Sequence, residues 1–233
     1  MAEKPYATIA VEGCAHGDLD SIYAAIVEAE RRNGVKVDLL VCCGDFQAVR
    51  NRNDLKSLSC PEKYKHMNSF YKYYSGEKVA PCLTLFVGGN HEASNHLRAL
   101  YYGGWVAPKI YFMGFSGVIN FRGIRIGGIS GIYKRDDYRK GYFEKVPYDR
   151  STVRSAYHVR EVEVHKLGQI RKPLDIFLSH DWPQGITQYG DAADLMRKKW
   201  KSGSLLREIR ANTLGSRPNM QLLQRLRPSF SQK

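Results

Sequence analysis

The sequence has no apolar run long enough to cross a bilayer, and Met1-Ala2-Glu3-Lys4-Pro5-Tyr6 lacks the layout of a secretory signal. A soluble, intracellular protein with no membrane partner is expected. Cysteine is scarce and odd in number. Cys14, Cys42, Cys43, Cys60 and Cys82 follow no framework spacing, and two of them are adjacent. That argues against a disulfide scaffold and fits a reducing compartment. Acidic residues are outnumbered, 23 Asp plus Glu against 36 Lys plus Arg, for a formal net charge of +13. Such a surplus favours a polyanionic partner such as nucleic acid, although a generic basic protein has the same balance. No internal repeat, low-complexity tract or clear linker interrupts the 233 residues, so a single domain with a sizeable core is expected over 1–233. No histidine follows His180.

What is present is a pattern at strand ends. Thr8-Ile9-Ala10-Val11 leads to Cys14-Ala15-His16-Gly17-Asp18. Val37-Asp38-Leu39-Leu40-Val41-Cys42-Cys43 leads to Gly44-Asp45. Cys82-Leu83-Thr84-Leu85-Phe86-Val87 leads to Gly89-Asn90-His91-Glu92. Leu174-Asp175-Ile176-Phe177-Leu178 leads to Ser179-His180-Asp181-Trp182-Pro183. Four strand-like runs each end in a residue able to bind a metal. Loops at the strand ends of an α/β sheet converge on one crevice, where ligands bind. Asp45 offers a carboxylate that can bridge two cations, His16 and His180 offer imidazole nitrogens, and Asn90 offers an amide oxygen. This mixed set suits Mn, Fe or Zn better than Ca. Two such ions, about 3.5–4 Å apart, would activate a water and steady the leaving oxygen of a phosphoester. Any one of these turns alone is an ordinary polar cap; all four in this order are not.

The order resembles that of the calcineurin-like metallophosphoesterases: Asp-x-His, Gly-Asp, Gly-Asn-His-Glu, a lone His, then Gly-His-x-His. The first four blocks are here, with Cys14 where the superfamily has Asp. The text around them (residues 12–17, 43–51, 60–64, 128–133 and 179–183) is similar to that of the RNA lariat debranching enzymes. The resemblance implies an α/β fold, the αββα sandwich of the superfamily. It implies a hydrolase that cuts the 2′-5′ phosphodiester at the branch point of excised introns, with two divalent ions, Mn or an Fe and Zn pair. Branched intron RNA is then the partner, joined by splicing-associated proteins. A monomer is expected, in the nucleus first and the cytoplasm second. The implied roles are that Asp45 bridges the metals, with Cys14 and His16 on one side and Asn90 and His180 on the other. His91 is the general acid that protonates the departing 2′ oxygen. Two readings of Cys14 stay open: a thiolate ligand for Zn or Fe, or a thiol that leaves its site one ligand short. The fifth block has no counterpart after His180. A C-terminally truncated form is therefore expected, with an incomplete sandwich, an uncovered sheet edge and a weak second metal site.

Periodicity predicts helices over residues 18–33, 62–74, 93–102, 153–167 and 219–226. Asp18 or Asp20 would cap the first and Gly34 would end it. The stretches 110–113, 118–121 and 124–129 read as consecutive strands. The basic run Arg197-Lys198-Lys199-Trp200-Lys201 reads as a solvated helix face or a weak nuclear address. His66, His96, His158 and His165 occupy no strand end and receive no role.

The segment 133–160 is a second signal. It interleaves Lys134, Arg135, Arg139, Lys140, Lys145, Arg150, Arg154 and Arg160 with Tyr133, Tyr138, Tyr142, Phe143, Tyr148 and Tyr157. Cations of this kind track phosphates while aromatics stack on unpaired bases, each stack contributing about 1–3 kcal/mol. Composition alone equally allows a surface loop with half-buried tyrosines. The resemblance implies that this is the RNA-recognition loop, with Tyr133, Lys134, Arg135, Tyr138, Arg139, Lys140 and Tyr142 as contacts. Two other functions compete with debranching. A general metallophosphatase would be expected to have Asp at position 14 and a less basic loop. A non-catalytic RNA-binding form would keep the fold with at most one ion.

Overall fold

All four side chains of Leu39-Leu40-Val41-Cys42 are buried, which requires a central strand covered on both faces. The computed structural model, which describes residues 6–198 and 203–232, places this strand, β2 (Leu39–Cys42), between β1 (Ile9–Glu12) and β3 (Leu83–Phe86). The three are parallel. β5 (Ile110–Phe112) continues the sheet in the same direction, and β4 (Gly104–Ala107) closes that side antiparallel to β5. A second sheet has the order β6 (Ser116–Phe121), β7 (Ile124–Ile129), β8 (Ile176–Ser179), β9 (Phe230–Gln232). In it β6 and β7 pair antiparallel, and β7, β8 and β9 run parallel.

Alternation along each strand divides the core. Leu39, Val41 and Leu85 face the second sheet and pack on Ile126 and Leu178. Leu40, Cys42 and Phe86 face the other way, against Leu19, Tyr23 and Ile26 of α1 (Leu19–Asn33) and Phe70 and Tyr73 of α2 (Phe70–Tyr74). α3 (Ser94–Ala99) adds Leu97 to that layer. On the outer face of the second sheet, Phe177 packs on Val164 and Leu167 of α6 (Glu161–Gly168) and on Leu222 and Leu226 of α9 (Arg217–Leu226). The result is the αββα sandwich. Short helices complete it: α4 (Arg135–Tyr138), α5 (Thr152–Ser155), α7 (Ala192–Lys198) and α8 (Gly203–Arg210). No helix of the described residues is long and apolar enough to cross a membrane.

α1 follows its end signals. The Asp18 side chain accepts from the Ser21 N–H, and Gly34 leaves the helix in the left-handed region at φ 62°. Other helix expectations need correction. The stretch 62–74 is not one helix: a 3₁₀ turn, Glu62–Tyr64, is separated from α2 by Asn68, which sits at φ 47°. The stretch 153–167 splits into α5 and α6, because His158 pairs with Ile132 in a β-bridge. The helix expected over 93–102 keeps only Ser94–Ala99. At the end of the described chain α9 leads into β9, which lies alongside β8 and is the last strand of its sheet among the described residues. Of the basic run, Lys199, Trp200 and Lys201 lie outside the described residues, while Arg197 and Lys198 both pair with Asp194.

Candidate metal centre

Four turns meet at the carboxyl ends of β1, β2, β3 and β8. The turn after β1 is zipped to the turn after β2: the His16 N–H donates to the Asp45 carbonyl at 2.6 Å and the Gly17 N–H to the Phe46 carbonyl at 3.0 Å. His16 and Asp45 both hold left-handed backbone, at φ 47° and 44°, a costly conformation for residues with a Cβ and one that clusters at functional sites. Gly44 and Gly89 are needed for close approach. A Cβ on Gly44 would overlap the His180 ring, and one on Gly89 would overlap the Asp45 carboxylate.

Asp45 is the hub. Its side chain is 5% exposed. Oδ1 accepts the His91 N–H at 2.7 Å and lies 3.4 Å from His180 Nε2. Oδ2 lies 3.3 Å from His91 Nδ1 and 4.0 Å from His16 Nε2. Burial pushes the Asp45 carboxyl up, but the hydrogen bonds of His91 and the charges of His180 and His91 outweigh it, so its pKa is lowered. The bond to Asp45 raises the His91 pKa above the ordinary imidazole value, against the opposite pull of burial.

The donor set fits a cation. His180 Nδ1 donates to the Cys43 carbonyl at 3.1 Å, which sets the ring with Nε2 turned towards Asp45 and Asn90. Nε2 faces two oxygens, Asn90 Oδ1 at 3.1 Å and Asp45 Oδ1 at 3.4 Å. An imidazole nitrogen, an amide oxygen and a carboxylate oxygen brought together in this way form a donor set that a metal ion can take, and the carbonyl bond to the second ring nitrogen is the orienting contact that ligand histidines make. On the other side of Asp45, Cys14, His16 and Asp45 bring one ligand atom each within 4.8 Å of one another.

Every residue expected at the metals is therefore brought to one place: Cys14, His16, Asp45, Asn90 and His180, with His91 beside Asp45. Two supporting residues were not legible as such. Glu92 is buried and accepts the N–H groups of Phe46 (2.7 Å), Gln47 (2.9 Å) and Gly89 (3.0 Å), strapping the second turn to the third. Burial and then the Asp45 charge push its pKa up to about 8, against the pull of those three amides. Asp181 accepts the Tyr133 N–H at 2.6 Å and so roots the loop 133–160 next to His180. Glu92 belongs to the Gly-Asn-His-Glu block and Asp181 follows a metal ligand; adjacency was the one signal available for either.

The loop divides its aromatic and basic residues between surface and interior. Lys134, Arg135, Arg139 and Lys140 are exposed. Tyr133 and Tyr138 are half-buried and stack edge to face at 5.5 Å. Tyr142 is turned inward, packed on Tyr101 and Phe115 at the edge of the core rather than set on the outer face of the loop. Arg160 is fully buried, which corrects its expected place among the outward cations.

Residues 7–202 match the family model of calcineurin-like phosphoesterases. The chain is 60% identical over 222 residues to lariat debranching enzyme A of Xenopus laevis, 59% identical to the lariat debranching enzyme of Homo sapiens, and 59% identical to that of Arabidopsis thaliana. Each match covers 95% of this chain but 41%, 40% and 52% of the respective relative. The chain thus spans about half the length, or less, of the curated relatives it matches.

Proposed function

The chain belongs to the calcineurin-like phosphoesterases, a family that uses divalent metals, and from that premise we propose that it hydrolyses the 2′-5′ phosphodiester at the branch point of lariat RNA. One observation carries the reading. Asp45, His16, Asn90, His91 and His180 converge from four separate turns, in a chain 60% identical to a relative named for lariat debranching. The proposed ions are Mn, or Fe with Zn. Asp45 would bridge them, Cys14 and His16 would hold one, and Asn90 and His180 the other. When bound, such ions lower the pKa of a water towards about 7 and offset the charge of the phosphate.

The chain's own groups supply the rest. His180 is oriented by the Cys43 carbonyl, and Glu92 fixes the spacing of the turns that carry Asp45 and Asn90. A water oxygen forms the new bond to phosphorus as the bond to the 2′ oxygen breaks. His91 gives its proton to that departing oxygen. Its raised pKa keeps the proton in place to a higher pH than an ordinary imidazole would. The exposed cations Lys134, Arg135, Arg139 and Lys140 would line the path of the RNA backbone, with Tyr133 and Tyr138 offered to its bases. Splicing-associated proteins are the proposed further partners, and the nucleus is the proposed location.

The test is competition between substrates. Manganese-supplemented chain is given a short branched RNA, a linear RNA of the same sequence, nucleoside monophosphates and a phosphoprotein. Release of linear product from the branched RNA alone is expected. Turnover of the nucleotides or phosphoprotein with the branched RNA left intact would favour a general metallophosphatase. Binding of branched RNA without turnover, at fewer than two ions per chain, would favour the non-catalytic form.

A further inference from the structure

Three charged side chains are gathered beneath the loop, away from the metal centre. Arg160 is fully buried, Glu144 is 1% exposed and Arg98 is half-buried. Charged groups enter a protein interior only when paired and hydrogen-bonded. Arg160 acts as a post. Its Nη2 donates to the Glu144 carboxylate and, at 3.0 Å, to the Ser155 carbonyl; its Nη1 donates to the Asp137 carbonyl at 2.7 Å. The rings of Tyr142 and Phe143 lie 5.0 Å and 5.8 Å from the same guanidinium. Three separate segments of the loop hang on this one side chain.

Glu144 passes the connection on. Its second oxygen accepts from Arg98 Nη1 at 3.3 Å, and Arg98 Nη2 donates to the Tyr142 carbonyl at 3.2 Å. Arg98 stands near the end of α3, the helix that follows the Asn90-His91-Glu92 turn. The start of α3 is fixed. Asn95 donates to Asp54 at 2.7 Å, and His96 Nδ1 donates to the Ala48 carbonyl at 3.1 Å. One end of this short lever carries His91 and the other grips the loop.

We infer that Arg98, Glu144 and Arg160 form a positioning strut that sets the loop 133–160 against the Asn90–His91 turn. The inference rests on the reading that branched RNA is the substrate. A substrate long enough to touch both loop and metals is sensitive to their spacing, since a misplacement of about 1 Å can cost about 10²-fold in rate. A small diester that reaches the metals alone is not.

The experiment uses the manganese-loaded chain with two probes, bis(p-nitrophenyl) phosphate and a short branched RNA, on wild type, Arg98→Leu and Arg98→Lys. Arg98→Leu leaves the Glu144–Arg160 pair intact. It should raise KM for branched RNA about tenfold while small-diester turnover stays within about twofold. Arg98→Lys replaces a two-pronged fork by a single point charge, so its KM should fall between the other two. If Arg98→Leu fails to fold, the lysine variant carries the same comparison, with KM raised and small-diester turnover kept. Equal losses on both probes would make Arg98 an ordinary structural residue, and unchanged branched-RNA kinetics in both variants would remove the strut. Wild type that turns over the small diester but never the branched RNA overturns the substrate reading, and the strut with it.

Discussion

His91 is tied to Asp45 twice, through its own N–H at 2.7 Å and through Nδ1 at 3.3 Å. The double tie fixes the ring beside the candidate metal ligands, and the side-chain contact with Asp45 raises its pKa. It also separates two functions that a histidine in such a place can have. A ligand would take metal with it when removed; a proton donor would not. His91→Ala is expected to keep the metal content of the wild type and to lower kcat for branched RNA by about 10²–10⁴-fold, the usual contribution of a positioned general acid. Elemental analysis and turnover measured on the same sample check it, and lost metal or unchanged kcat would each reassign the residue. The backbone constraint on Asp45 and the overlap met by any Cβ at Gly44 or Gly89 show how closely the turns are built around this carboxylate.

Among the elements, α1 is tied to α2 by a carboxylate. Asp20, in the first turn of α1, accepts from Tyr73 and Lys72, each at 2.8 Å, and pairs with Lys78 at 2.9 Å. Burial raises its pKa, but the hydrogen bonds from Lys72, Lys78 and Tyr73 outweigh that, and the net value falls from 3.8 to about 2. The depressed folded-state value means that Asp20 stabilises the fold fully above its ordinary pKa. The contribution is lost as pH falls through about 2. Asp20→Asn should therefore flatten the fall in urea midpoint across that acid window and change it little in shape near neutrality. Parallel curves for variant and wild type would show that the three partners contribute nothing there. The boundaries of α1 were legible because a capping aspartate and a closing glycine are local signals. The broken helices were not, since the causes are tertiary: the left-handed Asn68 supports the His16 turn through a bond from its side chain to the His16 carbonyl, and His158 is drawn into a bridge with Ile132. The candidate metal ligands were legible as a group because few residue types bind metals and all of these ended strands. The strut was not, because in sequence Arg98, Glu144 and Arg160 look like any solvated charges. Burial in the folded chain is what distinguishes them.

The whole molecule carries a formal charge of +13, and the loop that carries the exposed cations is rooted at Asp181, next to His180. Much of any RNA affinity should then be electrostatic and set by counterion release. Neutralising Lys134, Arg135, Arg139 and Lys140 together should weaken binding of a branched RNA. It should also flatten the log–log salt slope by up to about 3, at about 0.7 for each phosphate no longer neutralised. Titrations at several salt concentrations measure both quantities. If neither moves, the RNA path lies elsewhere on the basic surface.

The candidate metal ligands also bear on the order in which the fold and the site are completed. In chain order Cys14 and His16 come first, Asp45 and Asn90 follow, and His180 comes last, directly after β8. Contacts this distant in sequence close late, because the loops between them must be ordered first. The candidate set is therefore complete only once β8 lies beside β7, and any metal is expected to load after the second sheet has formed.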